Sequence, residues 1–288
     1  MAASQDQRIA VALTIAGSDP SGGAGIQADL KTFTALGVYG ASVITALTAQ
    51  NTMGVTGVLA IAPDFIGQQI DAVASDLTIV AVKTGMLGDA ATVEAVVEGI
   101  RRHGFKTVIV DPVMVATSGD VLLAPEAIAA VRLKLIPLAQ LITPNLHEAA
   151  KLLGTSMAVN VTEMEDQGRR LLDLGPGAVL IKGGHATGEQ AIDVLVTRAG
   201  VSQISAPRVN TRNTHGTGCT LSAAIAAHMA QGFGLEDAVR RAKHFLTEAL
   251  IAAASQHLGS GAGPVDHLYA ITAIKRDEQG ATPSPTLI

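Results

Sequence analysis

Short apolar runs of strand length alternate with longer amphipathic runs along most of the chain. The first apolar run, residues 8–16, leads through a glycine-containing loop at residues 17–25 into a helix predicted from about residue 26 to 36. Later strands are predicted at residues 42–49, 78–83, 107–111, 141–142 and 178–182. Later helices are predicted at residues 63–74, 90–103, 125–135, 146–153, 163–174, 220–231 and 235–254.

This alternation predicts an α/β fold with a mainly parallel sheet that helices cover on both faces. Residues 191–197 and 203–206 are expected to add a late antiparallel hairpin. No linker or internal repeat divides the chain, so residues 1–288 are predicted to form one domain, with residues 1–7 and 277–288 disordered. Ligands in such folds gather at the carboxyl ends of the strands, and the loops there are the candidate site.

The clearest chemical signal is a glycine-punctuated loop, Asn213 to Cys219, that runs directly into an apolar helix. Gly216 and Gly218 allow the N–H groups of residues 216–219, Thr217 included, to converge on one anion before the helix. The helix dipole is also expected to favour the thiolate of Cys219. A base beside an anion cradle indicates phosphoryl transfer to an alcohol. The alternative is a small buried cysteine after a tight turn.

Composition excludes several other classes of function. The formal net charge is -5 and aromatic residues make up 2% of the chain, which disfavours nucleic-acid binding. The single cysteine excludes an intramolecular disulfide and is consistent with a reducing cytosol. No secretory signal is visible, and polar residues interrupt each apolar run before the roughly 20 residues that a membrane-spanning helix needs. We therefore predict a cytoplasmic enzyme without nucleic-acid or membrane partners.

Three stretches together carry a family resemblance: AGSDPSGGAGIQAD at residues 16–29, TALTAQNT at 45–52 and GTGCTLS at 216–222. Shorter matching segments are GML (85–87), DPVM (111–114), ITPNL (142–146), KGGH (182–185) and APRV (206–209). From about residue 8 to 268, the chain resembles bacterial hydroxymethylpyrimidine/phosphomethylpyrimidine kinases of thiamin biosynthesis. The resemblance implies a ribokinase-like three-layer α/β/α sandwich, ATP with Mg²⁺, and a homodimer. It implies phosphorylation of 4-amino-5-hydroxymethyl-2-methylpyrimidine to its monophosphate and then its diphosphate.

The resemblance also implies a substrate-binding set formed by Gly17, Asp29, Gln50 and Met86. Asp29 would hydrogen-bond the aminopyrimidine, and the amide of Gln50 suits an amino group beside a ring nitrogen. Met86 would pack on the ring. Without the resemblance, a solvated helix residue is the simpler interpretation of Asp29, and a core side chain is the simpler interpretation of Met86.

The ATP and magnesium side is implied by a second set. Asn145 and Glu148 lie three positions apart at a helix start, so they share a face and could approach Mg²⁺ through water, or simply form a helix cap. Asp111 would join Glu148 at the metal, or close the turn before the following proline. Lys182 would reach the ATP phosphates, or be a solvated lysine. The implied nucleotide-binding residues are Asn145, Lys182, Thr217, Gly218 and Lys243, and the implied catalytic residues are Lys182, Gly216, Thr217, Gly218 and Cys219.

Two other functions stay open from the sequence. A pyridoxal kinase, or an enzyme that accepts both heterocycles, would need the same phosphate machinery. A protein that binds a nucleotide or a vitamin precursor without catalysis is the other. Many ribokinase relatives carry aspartate at the position of Cys219, whereas the pyrimidine kinases and some pyridoxal kinases carry cysteine, so the resemblance favours a thiolate base.

Overall fold

The computed structural model describes residues 9–114, 124–184 and 188–271. Its strands are β1 (Val11–Ala16), β2 (Tyr39–Ile44), β3 (Ala46–Asn51), β4 (Gly54–Ala60), β5 (Ala81–Thr84), β6 (Val108–Val110), β7 (Leu141–Ile142), β8 (Ala178–Ile181), β9 (Gln190–Thr197) and β10 (Gly200–Pro207). Its helices are α1 (Gly25–Ala35), α2 (Pro63–Ala74), α3 (Ala90–His103), α4 (Pro125–Ala130), α5 (Leu146–Leu153), α6 (Val161–Leu172), α7 (Thr217–Ala230) and α8 (Leu235–Ala253).

Eight strands form one sheet in the order β10-β9-β8-β7-β6-β5-β1-β2. The six strands from β8 to β2 along this order are parallel, while β9 is antiparallel to both β8 and β10. The predicted mainly parallel sheet and the late antiparallel hairpin are both confirmed. The carboxyl ends of the six parallel strands consequently meet at one edge, where the candidate site lies.

Two apolar layers cover the sheet, and neighbouring residues of β1 point into different ones. Leu13 packs in the layer formed with α2 to α6, whereas Ala12 packs in the layer formed with α1, α7 and α8. The alternation is the period-two pattern of a strand buried on both faces. α7 is rich in alanine and largely buried, which brings its N-terminus against the sheet edge. The fold is the predicted three-layer α/β/α sandwich.

Three elements differ from the sequence-based expectation. The strand predicted at residues 42–49 is divided at Thr45, whose side chain donates to the Met86 carbonyl (2.7 Å) and turns the chain out of the central sheet. The following residues form the two-stranded sheet β3–β4, and β4 was not predicted because its exposed residues include Leu59 and Val58. α4 ends five residues earlier than predicted and continues as a π-helical turn (Val131–Leu135) and a 3₁₀ turn (Ile136–Leu138).

α7 begins at Thr217, three residues before its predicted start, so Cys219 lies inside the first helical turn. Residues 1–7 and 277–288, for which disorder was predicted, lie outside the described residues. Within the described ranges, no helix has both the length and the apolar character that crossing a membrane requires.

Candidate active site

The start of α7 has the geometry that the sequence predicted for an anion cradle. Gly216 precedes the helix with φ 77°, and a Cβ atom there would lie 1.9 Å from the carbonyl oxygen of Gly23, so only glycine fits. The amide of Thr220 is the first to bond within the turn, donating to the Gly216 carbonyl at 2.8 Å. The N–H groups of Gly218 and Cys219 precede that bond, as the first amides of a helix do. The Thr217 amide, which the sequence placed in the cradle, instead donates to the Thr214 carbonyl at 3.3 Å. This end of α7 therefore favours an anion.

A buried aspartate–histidine pair joins this loop to the glycine loop after β1. Nε2 of His215 lies 2.8 Å from Oδ2 of Asp19, and the same carboxylate accepts the N–H groups of Ser21, Gly23 and Ala24. Burial alone would raise the pKa of Asp19, but the hydrogen bonds from His215 and Ser21 lower it to about 2. Asp19 thus stays ionised and fixes both loops. Sequence reasoning missed this pair, although both residues lie in the loops that it selected.

Cys219 lies where the sequence placed it, but its pKa differs from the expectation. Its side chain is partly buried, near the backbone N–H of Gly25 at the start of α1. Burial raises the pKa of the Cys219 thiol to about 11, although Lys83 and the Gly25 N–H act in the opposite direction. The predicted lowering of this pKa toward neutrality is therefore wrong for the ligand-free protein, because desolvation outweighs the favourable charges.

Asp29 is fully buried, so the interpretation of a solvated helix residue is wrong. Its Oδ2 accepts from Thr14 Oγ1 at 2.6 Å and from Lys83 Nζ at 2.9 Å. Burial alone would lower the pKa of Lys83, but the charge of Asp29, with a further contribution from Asp111, raises it above its ordinary value. The other carboxylate oxygen, Oδ1, has no hydrogen-bond partner among the described residues. A buried acceptor without a donor is a candidate ligand contact.

The other predicted substrate residues lie on two sides of the glycine loop. Met86 is 9% exposed, and a Cβ atom at Gly17 would lie 2.4 Å from its Cε, so these two positions are in contact. Gln50 lies on β3, where its Oε1 accepts from Thr48 at 3.2 Å. Gln50 and His215 line a cavity of about 280 Å³ with residues 51–53 and 260–262. Within the described structure, no hydrogen bond joins Gln50 to Asp29.

A charged cluster occupies the ends of β6 and β8. Lys182 Nζ donates to Asp111 Oδ1 at 2.7 Å and lies 3.9 Å from Glu148 Oε2. Thr143 and Ser222 also donate to Asp111, at 3.0 Å and 3.3 Å. Burial alone would raise the pKa of Asp111, but the two lysines nearby lower it below its ordinary value. Lys182, for which the sequence also allowed a solvated position, is thus held between the carboxylates of Asp111 and Glu148.

This cluster reaches the start of α7. A Cβ atom at Gly218 would lie 3.3 Å from Lys182 Nζ and 3.6 Å from Asp111 Oδ2. The predicted anion cradle and the predicted phosphate-binding lysine therefore lie side by side, which sequence spacing alone does not reveal.

Asn145 and Glu148 form a capping box at the start of α5. The Asn145 side chain accepts from the Glu148 amide at 2.9 Å, and Glu148 Oε2 accepts from the Asn145 amide at 2.7 Å. Burial raises the pKa of Glu148 to about 7, with Lys182 acting in the opposite direction. In the described part of the chain, no three His, Cys, Asp or Glu side chains are grouped for metal binding. Asp111 and Glu148 are hard oxygen donors that fit Mg²⁺, provided that water or phosphate oxygens complete its ligand set.

Among the described residues, Lys243 forms no ion pair with this cluster. Its Nζ is 2.7 Å from Oδ2 of Asp193 in a buried ion pair between α8 and β9. Sequence reasoning assigned Lys243 to ATP binding, and the structure instead engages its amino group with a carboxylate that the sequence analysis did not consider. Lys83 was also missed, although a lysine that ends an apolar strand at the ligand-binding edge is a signal that could have found it.

The fold and this edge define the class of protein. An α/β sandwich that gathers helix N-termini, buried lysines and carboxylates at the carboxyl ends of its strands is a small-molecule kinase of the ribokinase-like kind. The profile described as phosphomethylpyrimidine kinase matches residues 19–266. The chain belongs to the phosphomethylpyrimidine kinase family.

Individual relatives agree with this assignment. The chain is 55% identical over 259 residues to the hydroxymethylpyrimidine/phosphomethylpyrimidine kinase of Escherichia coli, covering 90% of this chain and 97% of the relative. The solved ADP complex of Bacillus subtilis pyridoxal kinase is similar with a TM-score of 0.85 and 38% identity, over 92% of this chain and 99% of that one. The solved structure of Clostridium difficile phosphomethylpyrimidine kinase is similar with a TM-score of 0.75 and 46% identity, over 84% of this chain and 100% of that one.

Proposed function

We propose that this protein is a bifunctional kinase of thiamin biosynthesis. It transfers the γ-phosphoryl group of ATP to the hydroxymethyl group of 4-amino-5-hydroxymethyl-2-methylpyrimidine, and then a second phosphoryl group to the resulting monophosphate. The observation that supports this most directly is the family membership over residues 19–266, together with the 55% identity to the Escherichia coli kinase of both substrates.

The nucleotide side is assigned to the α7 start and the Asp111–Lys182–Glu148 cluster. The amides of Gly218 and Cys219 and the Lys182 amino group would hold phosphate oxygens, with Asn145 and Thr217 beside them. The ADP complex of the similar pyridoxal kinase supports nucleotide binding on this fold. Bound Mg²⁺ would neutralise charge on the phosphates, and Asp111 and Glu148 are the side chains that would approach it.

The pyrimidine side is assigned to Gly17, Asp29, Gln50 and Met86. The unpaired Oδ1 of Asp29 is an acceptor for an amino group, and the half-buried amide of Gln50 offers both a donor and an acceptor. Met86, which contacts Gly17, supplies apolar surface for a flat ring.

Cys219 is the proposed base. Its thiolate takes the proton of the substrate hydroxyl as that oxygen bonds to phosphorus, and the bond to the leaving ADP oxygen breaks. Because the pKa of Cys219 is about 11 in the ligand-free protein, the thiolate is a minor species at neutral pH. The nearby Lys83 and the Gly25 N–H stabilise what thiolate there is.

A pyridoxal kinase activity is the second candidate, and the 38% identity to Bacillus subtilis pyridoxal kinase at a TM-score of 0.85 favours testing it. Asp29 and Gln50 favour the aminopyrimidine, because pyridoxal lacks the amino group that they would bind. A buried polar pair left without its partner costs about 1–3 kcal/mol, which is roughly tenfold or more in selectivity.

The deciding experiment supplies purified protein with ATP, Mg²⁺ and one acceptor: hydroxymethylpyrimidine, its monophosphate or pyridoxal. Mass spectrometry identifies the products. We expect the monophosphate and then the diphosphate of the pyrimidine, with pyridoxal a weaker substrate. Only monophosphate at long times would refute the two-step reaction, faster turnover of pyridoxal would establish the second candidate, and saturation without product would indicate a binding protein.

We also infer a cytoplasmic homodimer. The two-stranded sheet β3–β4 and the turn between its strands expose apolar side chains, among them Met53, Val58 and Leu59, which are 72%, 58% and 64% exposed. Covering such a patch with a second copy would remove it from water. Sedimentation of the purified protein tests this, and a monomer at micromolar concentration would contradict it.

A further inference from the structure

The buried carboxylate of Asp193 accepts a hydrogen bond from a backbone amide beside the candidate site. Its Oδ1 accepts the N–H of Gly183 at 2.9 Å, while its Oδ2 accepts from Lys243 at 2.7 Å. The chain passes very close here, because a Cβ atom at Gly183 would lie 1.9 Å from the carbonyl oxygen of Ile192. Gly183 follows Lys182 directly, so this contact fixes the backbone next to the proposed phosphate-binding lysine.

Arg208 contacts the connection between β8 and β9, to which Gly183 belongs, from its other side. Its guanidinium donates to three carbonyl oxygens, those of Gly184 (2.5 Å), Gly188 (2.7 Å) and Gln190 (3.1 Å). Its own amide donates to the carbonyl of Glu189 at 2.8 Å. A single planar fork thus holds both ends of the connection between β8 and β9, which a lysine cannot reproduce with one ammonium group.

Lys182 is the residue that these contacts surround. Its amide donates to the Pro144 carbonyl at 2.9 Å, and its amino group donates to Asp111 at 2.7 Å. The same amino group lies next to Gly218 at the start of α7. In the described part of the chain, neither Arg208 nor Asp193 forms a hydrogen bond with the side chains of Asp111, Lys182 and Glu148, so any effect on them passes through the backbone of residues 182–184.

We propose that Arg208 and Asp193 are positioning residues for the nucleotide, which hold the backbone of Lys182, Gly183 and Gly184 so that the Lys182 amino group meets the phosphates. The proposal rests on the proposed function, since it is ATP that supplies those phosphates. It gives Lys243 an indirect role: its ammonium group neutralises Asp193 and leaves Oδ1 aimed at Gly183.

The chemistry of the Asp193–Lys243 pair favours positioning over stability. A buried ion pair often stabilises a fold no more than an apolar pair of the same volume, because both charges lose their hydration. The amide of Gly183, however, needs an acceptor once it is buried. An acceptor at this place is what an apolar pair could not supply.

The first test removes the Arg208 clamp. In Arg208→Gln and Arg208→Lys we expect the KM for ATP to rise about tenfold while the KM for the pyrimidine changes less than about twofold, because only the nucleotide side is displaced. Arg240→Gln is the matched control, since Arg240 is an exposed arginine of α8 paired with Glu236 on its own helix. Rescue by Arg208→Lys would show that charge, and not the three-carbonyl fork, is what matters, and would overturn the proposal for Arg208.

The second test separates the acceptor from the ion pair. Asp193→Asn combined with Lys243→Met removes both charges and keeps an oxygen for the Gly183 amide, whereas Asp193→Leu with Lys243→Met removes the acceptor too. We expect the KM for ATP to be about tenfold lower in the first double variant than in the second. Equal values in the two variants, or parallel rises for ATP and the pyrimidine, would reduce both residues to a structural role.

Calorimetric titration with ADP reads nucleotide binding without turnover, so it tests positioning separately from the reaction. Weaker ADP binding in Arg208→Gln and in the leucine double variant, with unchanged binding in Arg240→Gln, is the expected pattern. If ADP binding follows this pattern across the variants but the wild-type protein phosphorylates no pyrimidine, the proposed function fails and the positioning role stands. If it phosphorylates the pyrimidine and ADP binding is the same in all variants, the positioning role fails alone.

Discussion

The amino group of Lys83 lies 2.9 Å from Oδ2 of Asp29, and neither side chain is exposed to solvent. Lys83 is the penultimate residue of β5 and Asp29 lies on α1, so the pair links the ligand-binding edge of the sheet to the helix that follows the glycine loop. One oxygen of Asp29 is thereby fixed by Lys83 and Thr14, and the other is left for a ligand. The pair prepares a substrate contact inside the protein.

Removing Lys83 should destabilise the fold far more than removing both charges. In Lys83→Met the buried carboxylate loses its partner, and we expect the free energy of unfolding to fall by about 3–5 kcal/mol. Adding Asp29→Asn should recover most of that stability while weakening pyrimidine binding. Urea unfolding and substrate titration measure the two effects. Lys134→Met, in an exposed pair with Glu94, is the control and should cost less than about 1 kcal/mol. Full pyrimidine affinity in the double variant would remove Asp29 from the substrate site.

Replacing the proposed base should abolish turnover and spare binding. Cys219→Ala removes the sulfur but leaves the amides at the start of α7 in place, so ATP and the pyrimidine should still bind. Loss of a general base typically lowers the rate by ~10²–10⁴-fold. Steady-state kinetics and equilibrium titration measure the two quantities. A rate near that of the wild type would assign the base elsewhere and make Cys219 a small buried side chain.

The pKa of Cys219 can be measured directly, because it is the only cysteine in the sequence. Burial raises the pKa to about 11, so the thiolate fraction should rise about tenfold for each pH unit below that value. We expect the rate of alkylation by iodoacetamide to increase steadily from pH 7 to 10 in the ligand-free protein. A free thiol compound run in parallel controls for the reagent. A plateau near neutral pH would show that the helix start outweighs burial after all.

Much of the fold follows from local pattern, whereas the site's connections do not. α3 and α5 have the predicted bounds, because Asp89 and Asn145 cap their starts and Gly104 and Gly154 end them in the left-handed conformation. These signals are local, since each lies next to the helix end that it sets. β4 was missed because it lacks the alternation of buried apolar and exposed polar residues that predicts a strand. The contacts of Lys83 with Asp29 join residues 54 positions apart, and those of Asp19 with His215 join residues 196 apart. Only the assembled sheet edge brings such residues together.

The sequence selected the correct loops but not the partners within them. Cys219, Lys182, Asp111 and Glu148 were chosen by residue type and by resemblance, and the last three lie together in the structure. The raised pKa of Cys219 depends on how deeply α7 packs, which no motif encodes. Lys243 shows the same limit, because nothing in the sequence around it indicates that its amino group pairs with Asp193.

Asp19 should make the stability of the protein depend on pH. Its pKa is about 2 in the folded protein against an ordinary value of 3.8, so its contribution is fully present above about pH 4 and is lost as the pH falls through 2. Asp19→Asn should therefore cost about 2 kcal/mol at pH 7 and progressively less toward pH 2. Urea unfolding at several pH values measures this. Asp76→Asn, which changes an exposed carboxylate in the loop after α2, is the control. A cost that is independent of pH would mean that the hydrogen bonds of Asp19, and not its charge, hold the two loops.

Glu148→Gln tests the metal assignment without dismantling the helix start. Glutamine keeps the oxygen that accepts the Asn145 amide, so α5 should remain capped while the negative charge near the proposed Mg²⁺ disappears. We expect the Mg²⁺ concentration for half-maximal activity to rise about tenfold or more, and the rate to recover at high Mg²⁺. Glu163→Gln is a matched control, because Glu163 occupies the same position after Asn160 at the start of α6 but is exposed. If activity at limiting Mg²⁺ is the same in both variants as in the wild type, Glu148 serves only as a cap, and Asp111 must approach the metal without it.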